Sequence, residues 1–274
     1  EIMPRSPLTK EGIKVKAGHV IEKIDGVEVT ADMDWAMLFN RKGNKPMLLH
    51  MYDPKAKTRW EETVKPLPEG GDYDMLYKRW VERCRHLVDS LSGGQLGYVH
   101  VQGMNDWSFR TVYEEALGRY HDKKGLVVDT RFNGGGWLHD DLATFLNGKT
   151  YMTFLPRGQK LGTEPHFKYQ RPSVVVMSEG NYSDAHMFPV PYRALGIGKL
   201  VGMPVPGTGT AVWWEGLQNG MWFGIPQVGM VDNAGNYLEN QQLEPDVKQT
   251  LEPGLASQGR DQQLEAAVKV LLGN

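Results

Sequence analysis

Residues 174–184 read Val-Val-Val-Met-Ser-Glu-Gly-Asn-Tyr-Ser-Asp. An apolar, β-branched run without polar alternation fits a strand covered on both faces, as in a parallel sheet. A short polar turn follows, and Ser183 stands where the next helix would begin. That position puts a hydroxyl at the carboxyl edge of the sheet, beside the unpaired N–H groups of a helix start. Such amides can hold the negative oxygen of a tetrahedral intermediate. The plainer reading is that Ser183 caps the helix, and spacing alone favours it.

Working outward, residues 125–131 (GLVVDTR) form a second apolar strand, followed by Asn133-Gly134-Gly135-Gly136-Trp137. The glycines permit close backbone approach and positive φ. They suit either a tight strand-to-helix turn or a second N–H donor facing the same oxyanion as Asp184. A phosphate cradle is the weaker rival, since neither GxxxxGK[ST] nor GxGxxG occurs. The opening strand spans 173–177, further strands are expected at 96–101, 151–155 and 199–203, and helices at 105–120, 137–146, from 183, and 262–272. Alternating strands and helices predict a layered α/β core over 95–274. In the helix ahead of it, Leu76, Trp80, Cys84, Leu87 and Leu91 make one apolar stripe, which marks Cys84 as a core thiol. Residues 1–67 read as a small β-rich module of strand, turn, strand, helix, strand, strand, its helix over 31–40 capped by Thr30 or Asp32. The run 66–71 (PLPEGG) punctuates the chain, so the expected division is 1–67, a helical linker 68–94, and 95–274.

Composition narrows the function. In 274 residues, 31 Lys and Arg against 33 Asp and Glu give a net charge of −2, which argues against nucleic acid as a partner. The hydrophobic 40% suffices for a core, and no apolar run approaches a bilayer span. One cysteine excludes an internal disulfide, and no HExxH or paired-His spacing suggests a metal. No cofactor is expected. The compartment stays open between cytoplasm and export. The chain begins at Glu1 without Met or a basic leader, so it reads as a processed piece with more protein upstream.

Residues 237–247 (YLENQQLEPDV) set two carboxylates around a polar run before a strand. They read as a solvated loop in isolation, or as a carboxylate that orients a nucleophile's partners. Among the eight histidines, His186 lies three residues past Ser183, but an i,i+3 side chain points along the helix rather than at the hydroxyl. His100 and His139 sit near strand ends and within reach of the site. Trp213-Trp214, beside residues 207–210 (GTGT), reads as a core aromatic pair or as the lining of a substrate groove.

Residues 126–136, the Tyr182-Ser183-Asp184 triplet, residues 195–202 (LGIGKLVG) and the Glu239…Pro245-Asp246 segment together resemble the tricorn proteases and, more distantly, the carboxyl-terminal processing proteases of the same serine peptidase family. The first 65 residues resemble that family's PDZ domain. The resemblance implies a crotonase- or ClpP-like α/β catalytic core behind a PDZ-like module. It implies Ser183 as nucleophile, the amides of Gly136 and Asp184 as the oxyanion hole, and Glu239 as the acidic member of a Ser-His-Ser-Glu tetrad. Gly135, Thr153 and Phe154 fall where the family binds substrate. Thr153 and Phe154 are not acidic, so a preference for basic side chains before the scissile bond is not expected. The tetrad's histidine and second serine would lie upstream of residue 1, leaving the isolated chain nearly inactive. Peptides or unfolded proteins are the implied partners, with a homo-oligomer as the implied assembly. The main alternative is a peptide-binding scaffold without catalysis. An acyl-CoA enzyme also uses paired amides, but the PDZ-like half argues against it.

Overall fold

The structure is a computed structural model that describes residues 1–273. The chain divides into two compact units, the first Glu1–Arg83 and the second from Cys84 onward.

In the first unit, β1 (Val20–Ile24), β2 (Val27–Glu28), β3 (Met47–Asp53) and β4 (Thr58–Val64) form an antiparallel sheet in the order β2-β1-β3-β4. Alternation decides its buried face: Met47, Leu49 and Met51 point inward from β3 and meet Ile24 and Val64. The expected helix over 31–40 is instead a single 3-10 segment, Trp35–Phe39. Its cap is Asp34, whose carboxylate accepts the Ala36 N–H at 3.1 Å, rather than Thr30 or Asp32. Five residues with no buried side chain give too little packing to extend it into an α-helix.

Helix α1 (Gly71–Leu91) buries Cys84 and Val88. The expected stripe is therefore rotated: Leu76 and Leu91 are exposed, and the i,i+4 pair Cys84/Val88 faces the second unit's interior. Burial pushes the Cys84 thiol up to about 12, so it stays protonated and unreactive.

The second unit continues with β5 (Leu96–His100), α2 (Asp106–Glu114), β6 (Gly125–Asp129), α3 (His139–Leu146), β7 (Met152–Phe154), β8 (Gly162–Glu164) and β9 (Ser173–Met177). Then come α4 (Asp184–Met187), α5 (Pro189–Ala194), β10 (Lys199–Gly202), β11 (Thr210–Gly216), β12 (Trp222–Gly229), β13 (Val247–Lys248), α6 (Pro253–Ala256) and α7 (Gln262–Leu272). The sheet order is β13-β10-β9-β6-β5, and every pairing in it is parallel. All residues of β5, β6 and β9 are buried, as the unbroken apolar runs require.

The two-residue side-chain period divides these strands between two layers. Val99, Leu126, Val128, Val175 and Met177 join one core with residues of α2, α3 and α5. On the alternate positions, α7 packs against β6, β9 and β10 through Leu264, Ala267 and Val268. Asp261 caps α7 by accepting the Leu264 N–H at 3.0 Å, and Gly273 ends it in the left-handed region. The helix after Ser183 breaks at Phe188 into α4 and α5, where Pro189 opens the second piece. The expected helix 105–120 ends its α-helical part at Glu114 and finishes as a π-turn, Glu115–Arg119.

Candidate active site

Three loops leave the carboxyl ends of neighbouring parallel strands: residues 130–138 after β6, 178–183 after β9 and 203–209 after β10. In open parallel sheets this edge is where ligands are held. Ser183 is half-buried with φ 53° and ψ −122°, a conformation costly for any residue but glycine. It occupies the cap position of α4, yet its side chain makes no capping hydrogen bond. The plain capping role therefore does not explain it. Strain of this size persists only where the surroundings fix it. Here Asn181 does so: its amide oxygen accepts the Ser178 N–H at 3.1 Å, and its amide nitrogen donates to Thr130 Oγ1 at 2.9 Å and to the Ala185 carbonyl at 3.2 Å.

The triple-glycine bend lies directly against this turn. Tyr182 N–H donates to the Asn133 carbonyl at 3.0 Å, and Gly135 N–H donates to Asn133 Oδ1 at 2.9 Å. A β-carbon at Gly135 would fall 2.7 Å from Ser183 Cβ and 3.1 Å from Asp184 N. At Gly136, with φ 142°, it would fall 2.0 Å from the Met104 carbonyl oxygen. Met104 N–H donates to the Gly135 carbonyl and Trp137 N–H to the Met104 carbonyl, so the bend is stitched to the segment after β5 on both sides of Gly136. Among the described residues, no hydrogen-bond acceptor is found for Gly136 N–H or Asp184 N–H. An unused amide next to Ser183 and another in the bend that packs against its turn are the donors from which an oxyanion hole could be built.

A Gly136→Ala chain has nowhere to place its methyl group without moving the backbone of Met104. If Ser183 carries an acyl transfer with Gly136 as an oxyanion donor, the expected outcome is a loss of roughly 10²–10³-fold in kcat. Steady-state kinetics would check this, with circular dichroism to confirm that the sheet is retained.

The third loop carries residues that the sequence reading left without a role. Thr208 Oγ1 accepts the Ser183 N–H at 2.8 Å, fixing the backbone of the turn. Gly207 N–H donates to His186 Nδ1 at 3.1 Å, which places the proton of the neutral ring on Nε2. His186 is buried, which holds its pKa below the usual value, with the Glu239 charge partly opposing. Its ring is thus a brace for the 207 loop. Glu239 stands close by: its Oε2 accepts from Thr210 Oγ1 at 2.7 Å. A β-carbon at Gly209 would lie 2.4 Å from Leu238 Cβ, so loops 207–210 and 238–241 are in backbone contact. The glycine-framed GTGT run was the visible signal of this close packing.

His139 meets the site from the other side. Its Nδ1 bonds to Asp184 Oδ1, and that bond holds the imidazole's pKa above its ordinary range. His100 belongs elsewhere: its Nε2 bonds to the Arg131 carbonyl at 3.0 Å in the layer beneath β6. Among the described residues no side chain hydrogen-bonds the Ser183 hydroxyl. None forms a group of three or more His, Cys, Asp or Glu able to hold a metal ion. Thr153 and Phe154 are exposed on the β7–β8 hairpin, and no described hydrogen bond ties them to Ser183. Trp213 and Trp214 are not a core pair. They are 49% and 65% exposed on the β11–β12 hairpin, which rises from Thr210. No helix is long and apolar enough to cross a membrane among the described residues.

Comparison with known proteins shows the family of the chain. The signature of peptidase family S41 matches residues 95–249, and that of the tricorn protease PDZ domain matches residues 3–69. A tricorn protease homolog of Streptomyces coelicolor is 29% identical over 278 residues, covering 98% of this chain and 25% of its own length. The tricorn protease of Thermoplasma acidophilum is 27% identical over 270 residues, again covering 98% of this chain and 25% of its own. A crystal structure of the tricorn protease superimposes with a TM-score of 0.81 at 26% identity, over 93% of this chain and 25% of that one. The chain thus spans about a quarter of the length of these relatives.

Proposed function

From the premise that the chain belongs to peptidase family S41 and begins with a tricorn-type PDZ domain, we propose that it carries the acylation site of a serine peptidase. Ser183 attacks the scissile carbonyl, the carbonyl oxygen becomes an oxyanion held by the Gly136 and Asp184 amides, and water later releases the acyl group. One observation carries the reading: a strained serine that caps nothing lies against a glycine bend, with one unused amide in that bend, at Gly136, and one in its own turn, at Asp184.

No described imidazole bonds to Ser183. The general base is therefore taken to come from the length that the relatives have and these residues do not span. Glu239, held at the site by Thr210, is the acid that would orient it. Gly135 would line the acyl site, while Thr153 and Phe154 offer an apolar to mixed surface for the residue before the cut. The substrate is an unfolded or short peptide bound as an extended strand. The organisation is read as a PDZ-like module over 1–67, a helical linker over 68–94 and the catalytic core over 95–274.

A fluorophosphonate probe tests this on the full-length gene product. Labelling at Ser183, found by peptide mapping, is the expected result. Absence of label on a protein that hydrolyses peptides would place the nucleophile elsewhere.

A further inference from the structure

Asp184 uses two groups in opposite directions. Its N–H lies free beside Ser183, while its fully buried carboxylate reaches the start of α3. There Oδ2 accepts the N–H of Leu138 at 2.5 Å and of His139 at 3.0 Å, and Oδ1 bonds to His139 Nδ1. Leu138 occupies the cap position of α3 but has no capping side chain, so α3 borrows its cap from α4. Gly136, the other unused amide, is only two residues before Leu138. The two amides are therefore joined by one carboxylate as well as by the backbone. His139 is the only described side chain that donates to that carboxylate.

We propose that His139 is a positioning residue for the oxyanion hole: through the Asp184 carboxylate it holds the Gly136 and Asp184 amides in one fixed arrangement. The inference rests on the peptidase reading of Ser183. Without the imidazole, a fully buried carboxylate keeps two backbone donors and loses its cation, and the first turn of α3 can shift against the Ser183 turn. Oxyanion donors act by prior alignment, so a small shift weakens the transition state and leaves ground-state binding in place.

The His139 side chain is 23% exposed, so its proton exchanges with solvent. The charged groups that face it are Asp184 from α4, and Asp140 and Asp141 from its own helix; the Trp137 ring meets it edge-on at 5.5 Å. All three carboxylates favour the imidazolium. The charged link is present below the ordinary histidine range and weakens as pH rises through the raised folded value.

The test uses the full-length protein and its His139→Ala, His139→Gln and Ser183→Ala forms, with kcat and KM for a peptide substrate measured across pH. His139→Ala should lose roughly tenfold in kcat with KM unchanged. His139→Gln, which keeps an N–H donor, should recover most of that loss and lack the wild-type decline on the alkaline side. Unchanged kcat in His139→Ala overturns the proposal, as do equal losses in both His139 variants. If Ser183→Ala turns over as fast as wild type, the reading of Ser183 falls instead. The link itself is then judged by NMR titration of His139: a lower pKa in Asp184→Asn supports it, and an unmoved one ends it.

Discussion

Replacing Ser183 with Ala is expected to reduce peptide turnover by the full-length protein about 10⁶-fold, to the residual rate that an oxyanion hole and binding alone sustain. The size of the effect follows from the geometry. The 130–138 bend and the 207–210 loop are each tied by hydrogen bonds to the 178–183 turn that presents this residue. KM should stay within a few-fold, since the hydroxyl takes part in bond formation rather than ground-state binding. The substitution removes one partly buried oxygen that has no described hydrogen bond, so folding should be unaffected and the melting temperature unchanged. Equal turnover by the two forms would leave the chain as a peptide-binding scaffold.

Arg131→Met is the second large effect, and it falls on stability. Arg131 is 1% exposed. Its Nε donates to Asp129 Oδ1 at 2.9 Å and its Nη2 to Oδ2 at 2.6 Å, while Nη1 reaches Asp261 Oδ2 at 2.9 Å and Gln263 Oε1 at 3.0 Å. The guanidinium thus ties the end of β6, where the glycine bend begins, to the cap of α7. Removing it leaves Asp129, fully buried, with the Tyr98 hydroxyl and the main-chain N–H of residue 131 as its donors among the described hydrogen bonds. Breaking a buried pair in this way costs about 3–5 kcal/mol, which for a unit of this size is a fall of roughly 10 °C in Tm.

The pH dependence supplies a second check on the same variant. Burial pushes the Asp129 carboxyl up, but the charge and hydrogen bonds of Arg131 outweigh it and leave the pKa below the ordinary range. In the native chain its contribution is present above that ordinary range and is lost as pH falls through the depressed value. In Arg131→Met the carboxylate loses the guanidinium that bonds it, so acid relieves rather than worsens its position. The stability gap between the two chains should narrow as pH drops. Denaturant titrations at neutral and acidic pH would measure it, and a gap under about 1 kcal/mol at neutral pH would refute the account.

Much of the fold was legible in the residues themselves. Runs such as Leu126-Val127-Val128 and Val174-Val175-Val176 have no polar face, which leaves them only a strand covered on both sides. The serine after one such strand and the glycines after the other stand out for the same reason: each follows a carboxyl edge. Where local signals were weak, packing decided. The segment 31–40 lacked the buried side chains to sustain a helix and became a 3-10 turn. The apolar stripe of α1 rotated so that Cys84 and Val88 are its buried residues, because burial is set by tertiary packing and not by the helix's own pattern.

What the sequence by itself determined was where the buried parallel strands lie along the chain and the placement of a hydroxyl and a flexible bend at their ends, since both follow from short-range hydrophobic pattern and backbone freedom. Only the tertiary structure decided that Thr208 holds the Ser183 backbone, that Arg131 finds Asp261, and that His139 reaches Asp184. Those partners lie 25, 130 and 45 residues apart along the chain. No local pattern encodes such pairs, because their contact depends on how the parallel strands line up side by side and not on the residues adjacent to either one.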